Sequence, residues 1–197
     1  MNPSQMRYEW NKIPWRKVEV SVFKLQKRIY RASLNNQVKQ VHRLQRLLLS
    51  STNAKLLAIR KVTQDNRGRN TPGIDGVAKL TQVARLGLVE KMKLDEKSKP
   101  VRRIWIPKPG KLEKRPLGIP TIEERGKQAL VKLALEPEWE AKFEANSYGF
   151  RPGRSAHDAQ QAIFTALARK QKYILDADIA GCFDHINHQA LLNKLKS

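Results

Sequence analysis

Between residues 18 and 59 apolar residues recur at helical spacing, and the polar faces they leave are almost all of one sign. No other feature constrains the fold as tightly. Val18, Val22, Leu25 and Ile29 fall at i, i+4, i+7 and i+11, one face of an α-helix, with Lys24, Arg28 and Arg31 well around the cylinder. Val38, Val41, Leu44 and Leu48 repeat the scheme, and Lys39, Arg43 and Arg46 lie almost opposite them. Ser51 or Thr52 is placed to cap a third helix through Leu56, Leu57 and Ile59. Amphipathic helices ordinarily expose mixed charge, which serves solubility. Here acids are nearly absent, so phosphate contact outranks simple solvation for the first two helices.

The charge balance supports this. Residues 1–64 hold 14 Lys or Arg against two Glu, a net of +12, in a 197-residue chain whose net charge is +21. A chain so basic repels itself unless it meets a polyanion. Nucleic acid is the first expectation, because every neutralised phosphate releases a condensed counterion. A membrane surface is weaker: Met1 to Arg16 contain no apolar stretch fit for a signal peptide, and no run approaches the ~20 apolar residues of a bilayer span. Cys182 is the only cysteine, which excludes internal disulfides and Cys-rich zinc sites and fits a reducing, cytoplasm-like compartment. His185 and His188 are three apart, but no further Cys or His nearby completes a tetrahedral site.

Further along, Asp65 to Gly76 reads as a loop carrying Arg67 and Arg69, with Pro72-Gly73 suited to the centre of a type II turn and Asp75-Gly76 to a second tight turn. A surface connector and a loop that approaches a nucleic-acid backbone stand level there. Val101 to Ile106 reads as a strand ended by Pro107; Lys108 to Lys111 is turn chemistry, and Lys114 to Ile119 is the returning strand. This hairpin bears Arg102, Arg103, Lys108, Lys111, Lys114 and Arg115 against the single acid Glu113. It suits a phosphate chain, or serves as a charged edge that prevents aggregation.

Thr121 and Glu124 have capping-box spacing and open a helix expected to end near Leu135, ahead of Pro137. Ser155 and Asp158 cap another. Between them, Asn146 to Arg154 interleaves Tyr148 and Phe150 with Arg151 and Arg154, a composition suited to stacking plus phosphate contact. Tyr173 to Ile179 has strand character, which puts Asp176 and Asp178 on one face. Such acids are costly to bury unpaired, and a divalent metal is one partner. Asp184 either shares such a partner or helps turn the chain into a helix with Leu191, Leu192 and Leu195. The divisions expected are 1–64, 65–170 and 171–197.

Four blocks in order, "NTPGIDG" at 70–76, "IPKPGKLEKRPLGIPTIEER" at 106–125, "SYGFRPGRSAHDA" at 147–159 and "DADIAGCFDHINH" at 176–188, resemble the group II intron reverse transcriptases, or maturases. The resemblance implies an α+β fold: right-hand polymerase fingers with the start of the palm, preceded by basic N-terminal helices that grip intron RNA and assist its splicing. It implies a fingertip lid near the template for the loop that includes Asn70, Pro72, Gly73 and Ile74, triphosphate contact for Lys108 and Arg115, and a template-side surface for Arg151 and Arg154. Asp178 matches the first metal-binding aspartate, for Mg2+, with the Ile179 carbonyl also facing a metal. Gly181, Cys182 and Phe183 match the nucleotide pocket, where Phe183 screens the sugar 2′ position.

Two departures stand out. Ala180 replaces a usually basic residue, and no Tyr-Ala-Asp-Asp tetrapeptide, the source of the remaining carboxylates, occurs in these 197 residues; thumb, DNA-binding and endonuclease segments are missing too. Nucleotidyl transfer needs two cations about 3.5–4 Å apart, so the parent protein is expected to be an RNA-directed DNA polymerase and this chain alone inactive. Its expected partners are intron RNA, target DNA, an RNA template-primer and a C-terminal palm and thumb portion. A splicing cofactor without polymerase activity, and a reverse transcriptase recruited to a CRISPR or other defence system, remain alternative readings.

Overall fold

The apolar stripes read from the sequence are what the first three helices bury. The structure, a computed structural model, describes residues 9–95, 97–110, 112–168, 171–181 and 185–196, with the backbone alone at 195 and 196. It divides into two units, Met1–Ala145 and Asn146–Ser197.

In the first unit α1 (Trp15–Leu34), α2 (Val38–Ser50) and α3 (Thr52–Arg60) pack with one another and against α5 (Ile122–Glu140). Val18, Val22, Ile29 and Ala32 of α1 meet Val41, Leu44 and Leu48 of α2, Ala54, Leu56, Ala58 and Ile59 of α3, and Leu130 and Ala134 of α5 in one core. Val38 departs from its expected place in the α2 stripe and is exposed. It is the first residue of α2, at the tip of the α1–α2 hairpin, where α1 has already ended. Trp10 seals the far end: its ring is buried edge-on to Trp15 with centroids 5.0 Å apart, and Nε1 donates to Gln64 Oε1 at 2.8 Å. Arg60 lies over the Trp15 ring and pairs with Glu19 at 3.0 Å and Asp65 at 3.7 Å.

A fourth helix, α4 (Gln82–Lys91), was not anticipated from the sequence. Its apolar spacing is weak, but Thr81 Oγ1 accepts from the Ala84 N–H at 3.2 Å, an N-cap signal present in the sequence. Val89 and Met92 carry this segment into the core. β1 (Arg102–Pro107) and β2 (Lys114–Ile119) form the expected antiparallel hairpin, within a residue of the expected bounds, running from Arg102 opposite Ile119 to Pro107 opposite Lys114.

α5 corrects the expected stop at Pro137. Thr121 Oγ1 accepts from the Glu124 N–H as the cap, but the helix then runs through Pro137 to Glu140. A proline cannot donate to the carbonyl four residues back, here Leu133. Gln26 of α1 supplies that bond, with Nε2 donating to Leu133 O at 3.0 Å. Ser33 Oγ donates to Glu138 O at 3.0 Å, and Gln45 Nε2 to the Glu138 carboxylate at 2.7 Å. Tertiary donors therefore replace the bond that proline removes, and the helix continues.

The second unit holds α6 (Ala156–Leu167) and α7 (His188–Lys196). Ser155 and Asp158 form a complete capping box at the start of α6. The strand expected over 173–179 does not form. The backbone there is irregular, Tyr173, Ile174, Leu175 and Ile179 are exposed, and the sheet among the described residues has two strands only. A strand needs a neighbour to take its N–H and C=O groups, and no further strand is described beside this segment. The described architecture is thus α+β, mainly helical with a small two-stranded sheet.

Candidate nucleic-acid interface

Burial of the α1 and α2 stripes turns their basic residues outward. Lys24, Arg28 and Arg31 on α1 and Lys39, Arg43 and Arg46 on α2 are all exposed. None belongs to a described ion pair; the one described side-chain bond of Arg46 is to the His42 carbonyl of its own helix, at 3.3 Å. Their charge therefore faces solvent with no described carboxylate in ion-pair contact. Phe23 is 60% exposed on the same helix, with Lys27 Nζ 5.7 Å over its ring.

The 66–76 loop is docked rather than loose. Arg67 to Asn70 make a single 3₁₀ turn, and Arg67, Arg69 and Asn70 are exposed. The expected type II turn at Pro72-Gly73 is absent, for Gly73 does not take positive φ. Its requirement is steric: a Cβ there would lie 2.7 Å from Thr121 Cα and 2.9 Å from Pro120 O. The tight turn sits two residues later, closed by the Gly76 N–H donating to Gly73 O at 3.3 Å, with Gly76 at φ 70° and Asp75 Oδ1 accepting from the Val77 N–H. This leaves Ile74 exposed at the loop's tip, with Pro72 half-buried at its base.

Sequence reasoning missed Arg125, the residue that holds this loop. From the first turn of α5 its guanidinium donates to Gly68 O at 2.9 Å and Thr71 O at 2.8 Å. Burial lowers its pKa from the ordinary arginine value, and it remains charged. Only its i+4 offset from Thr121, which the loop touches, could have hinted at the role.

In the hairpin Lys108 and Arg115 meet different fates. Lys108 Nζ lies 2.7 Å from the Glu113 carboxylate, and the Lys108 N–H donates to Glu113 O at 3.0 Å. That bond from the Lys108 ammonium holds the Glu113 carboxyl below its ordinary pKa. Arg115 stands opposite Ile106 and is exposed. Trp105, opposite Pro116, is 58% exposed.

In the second unit Arg151 is buried and donates through Nη1 to Ser147 O at 2.7 Å, a bond that shapes the loop from within. Arg154 lies over the Tyr148 ring at 5.8 Å and lines an open recess with Asn146 and Asp158. Bonds from Ser155, side chain first and backbone second, hold the Asp158 carboxyl below its ordinary pKa. Phe150 takes a left-handed φ of 59° and is fully exposed.

Asp178 is exposed, and its Oδ1 accepts from the Ile179 N–H at 2.8 Å. Gly181 occupies a turn at φ 58° and accepts from the His185 N–H. Cys182 and Phe183, with Asp184 and Lys111, lie outside the described residues. Among the described residues no three of His, Cys, Asp and Glu converge on a point that could hold a metal, so they do not by themselves fit a two-cation cage. No described helix is long and apolar enough to cross a membrane.

Comparison with known proteins bears on this arrangement. Residues 10–92 match the family profile described as the N-terminal domain of reverse transcriptase, and residues 106–197 that of reverse transcriptase (RNA-dependent DNA polymerase). Protein YkfC of Escherichia coli is 37% identical over 166 residues, covering 78% of this chain and 43% of its own length. Maturase-like protein 1 of Euglena gracilis is 34% identical over 195 residues, 92% of this chain and 41% of the relative. The group II intron-encoded protein LtrA of Lactococcus lactis is 42% identical over 93 residues, 47% of this chain and 15% of the relative. The matched segments thus cover less than half the length of each relative.

Proposed function

Because the chain belongs to the reverse transcriptase family, alongside group II intron-encoded and maturase-like proteins, we propose that it is the RNA-gripping N-terminal part of such an enzyme. It binds intron RNA through α1 and α2 and assists splicing. Joined to a C-terminal palm and thumb portion, it takes part in RNA-templated DNA synthesis on a template-primer and at a target DNA. The observation that carries the reading is the outward row of Lys24, Arg28, Arg31, Lys39, Arg43 and Arg46, exposed and outside every described ion pair. Solvation alone does not call for six cations without an acid among them.

In the same reading the docked 66–76 loop, with Arg67, Arg69, Asn70, Pro72, Gly73 and Ile74, is the fingertip over the template, and Arg151 and Arg154 belong to the template-side loop of a right-hand polymerase fold. Lys108 and Arg115 meet the incoming triphosphate, which must displace Glu113 from Lys108. Asp178, with the Ile179 carbonyl, is the chain's contribution to an Mg2+ site, and Gly181, Cys182 and Phe183 border the nucleotide. One exposed aspartate is a poor holder of two dications, so residues 1–197 by themselves extend no primer; template-dependent dNTP incorporation by this chain alone overturns that.

The test is binding to a structured group II intron RNA and to duplex DNA across a salt series. Intron binding that persists where duplex is released, and that weakens with Arg28→Gln and Arg43→Gln, supports the reading. Equal affinities that collapse together leave only a general polyanion grip. In a longer chain that includes the rest of the palm, Asp178→Asn abolishes DNA synthesis and spares splicing. Synthesis that survives it removes Asp178 from the metal site.

A further inference from the structure

Beside the 66–76 loop, the first unit holds a cavity of about 450 Å³ lined by Thr63, Gln64, Arg69, Asn70, Lys79 and Arg85. Three of these are cations, and no described carboxylate lines the cavity. The neighbouring acids are engaged elsewhere: Asp65 faces Arg60 at 3.7 Å, and Asp75 accepts from the Val77 N–H. The acceptors of Gln64 are engaged too, since Gln64 Oε1 takes the Trp10 indole N–H at 2.8 Å and Gln64 O takes Arg69 Nη1 at 2.7 Å.

Arg85 is the decisive member. Its guanidinium lies 5.6 Å over the buried Trp10 ring, and its Nε is buried with no hydrogen-bond partner. Arg102 and Arg125 share this state at their Nε atoms, so what sets Arg85 apart is its place in the cavity lining beside two further cations. Arg69 makes one described bond through Nη1, and Lys79 is exposed outside the described ion pairs. Together they give the cavity positive charge that no described lining carboxylate balances. A phosphate fits best, because its several oxygens accept from two guanidinium forks and an ammonium at once.

We propose that this cavity is a phosphate-binding site for nucleic acid. An internal RNA phosphodiester and a terminal 5′-phosphate share the required chemistry. The inference rests on the RNA-binding reading above and extends it to Lys79 and Arg85, which lie outside the four sequence blocks. A fixed phosphate here would set where a strand crosses the base of the 66–76 loop, while the α1–α2 face grips RNA independently.

The experiment uses the 197-residue chain and two short single-stranded RNAs of one sequence, 5′-phosphorylated and 5′-hydroxylated, titrated across a salt series. Arg69→Gln with Lys79→Gln changes two exposed side chains, and an unshifted thermal melt confirms the fold. This pair is expected to weaken binding roughly ten-fold at low salt, and to lower the slope of log K against log salt by about 0.7 for one lost phosphate contact. Loss on both RNAs identifies an internal phosphodiester; loss confined to the phosphorylated RNA identifies a terminal phosphate. If neither RNA is affected while Arg28→Gln with Arg43→Gln weakens both, the cavity is not a phosphate site and the α1–α2 reading stands. If neither pair of substitutions matters, the RNA-binding reading fails and this inference with it.

Discussion

Replacing Gln26 by methionine keeps the length of the side chain and removes the N–H that reaches Leu133 O at 3.0 Å. That carbonyl has no intrahelical donor, because the residue four positions on is Pro137. The substitution therefore leaves a half-buried acceptor unpaired, a cost of about 1–2 kcal/mol. In a chain of this size the melting temperature should fall by roughly 2–8 °C. Pro137→Ala alone does not discriminate, since a helical N–H and better propensity are gained while a buried ring is lost. The pair is decisive. In the Pro137→Ala background the new alanine donates to Leu133 O, so losing Gln26 should cost about 1 kcal/mol less than it does beside proline. Urea denaturation of the four proteins, followed by far-ultraviolet circular dichroism, gives the coupling. Additivity within about 0.3–0.5 kcal/mol would refute the idea that Gln26 is what lets the helix pass through Pro137.

Gly73→Ala forces a Cβ against the Thr121 and Pro120 backbone, so it should cost about 1–3 kcal/mol or lift the loop, seen as faster amide exchange over residues 67–76. Arg125→Ala removes the donors to Gly68 O and Thr71 O; the same amides should exchange faster, and RNA binding should weaken several-fold if the docked loop takes part. Burial pushes the Glu138 carboxyl up, but bonds from Lys142 and then Gln45 outweigh it and hold the pKa below its ordinary value. A depressed folded-state pKa contributes stability that is present above the ordinary carboxylate range and lost as pH falls through the folded value. Glu138→Gln should therefore flatten the acid limb of the stability–pH curve and leave its neutral slope unchanged.

The sites were unequally legible. The outward positions of Lys24, Arg28, Arg31, Lys39, Arg43 and Arg46 follow from helical periodicity, because burying the opposite stripe leaves them nowhere else to go. The caps at Thr121 and Ser155 are similarly local: a hydroxyl and an N–H three residues on need no outside partner. Arg125 was not legible, since its acceptors, Gly68 and Thr71, lie more than fifty residues away in sequence. The cavity at Arg69, Lys79 and Arg85 was hidden for the same reason. Its unpartnered donor depends on where α4 lands against Trp10.

By itself the sequence determined the helical stripes, the hairpin and the sign of the surface, because each depends on residues within a few positions of one another. Tertiary structure decided three things. α5 continues through Pro137 because α1 and α2 bring donors to its carbonyls. Gly73 serves close approach rather than a turn because Pro120 and Thr121 lie against it. Residues 173–179 stay irregular despite their β-prone composition. A strand is completed by its neighbour's hydrogen bonds, and no local pattern can supply that neighbour.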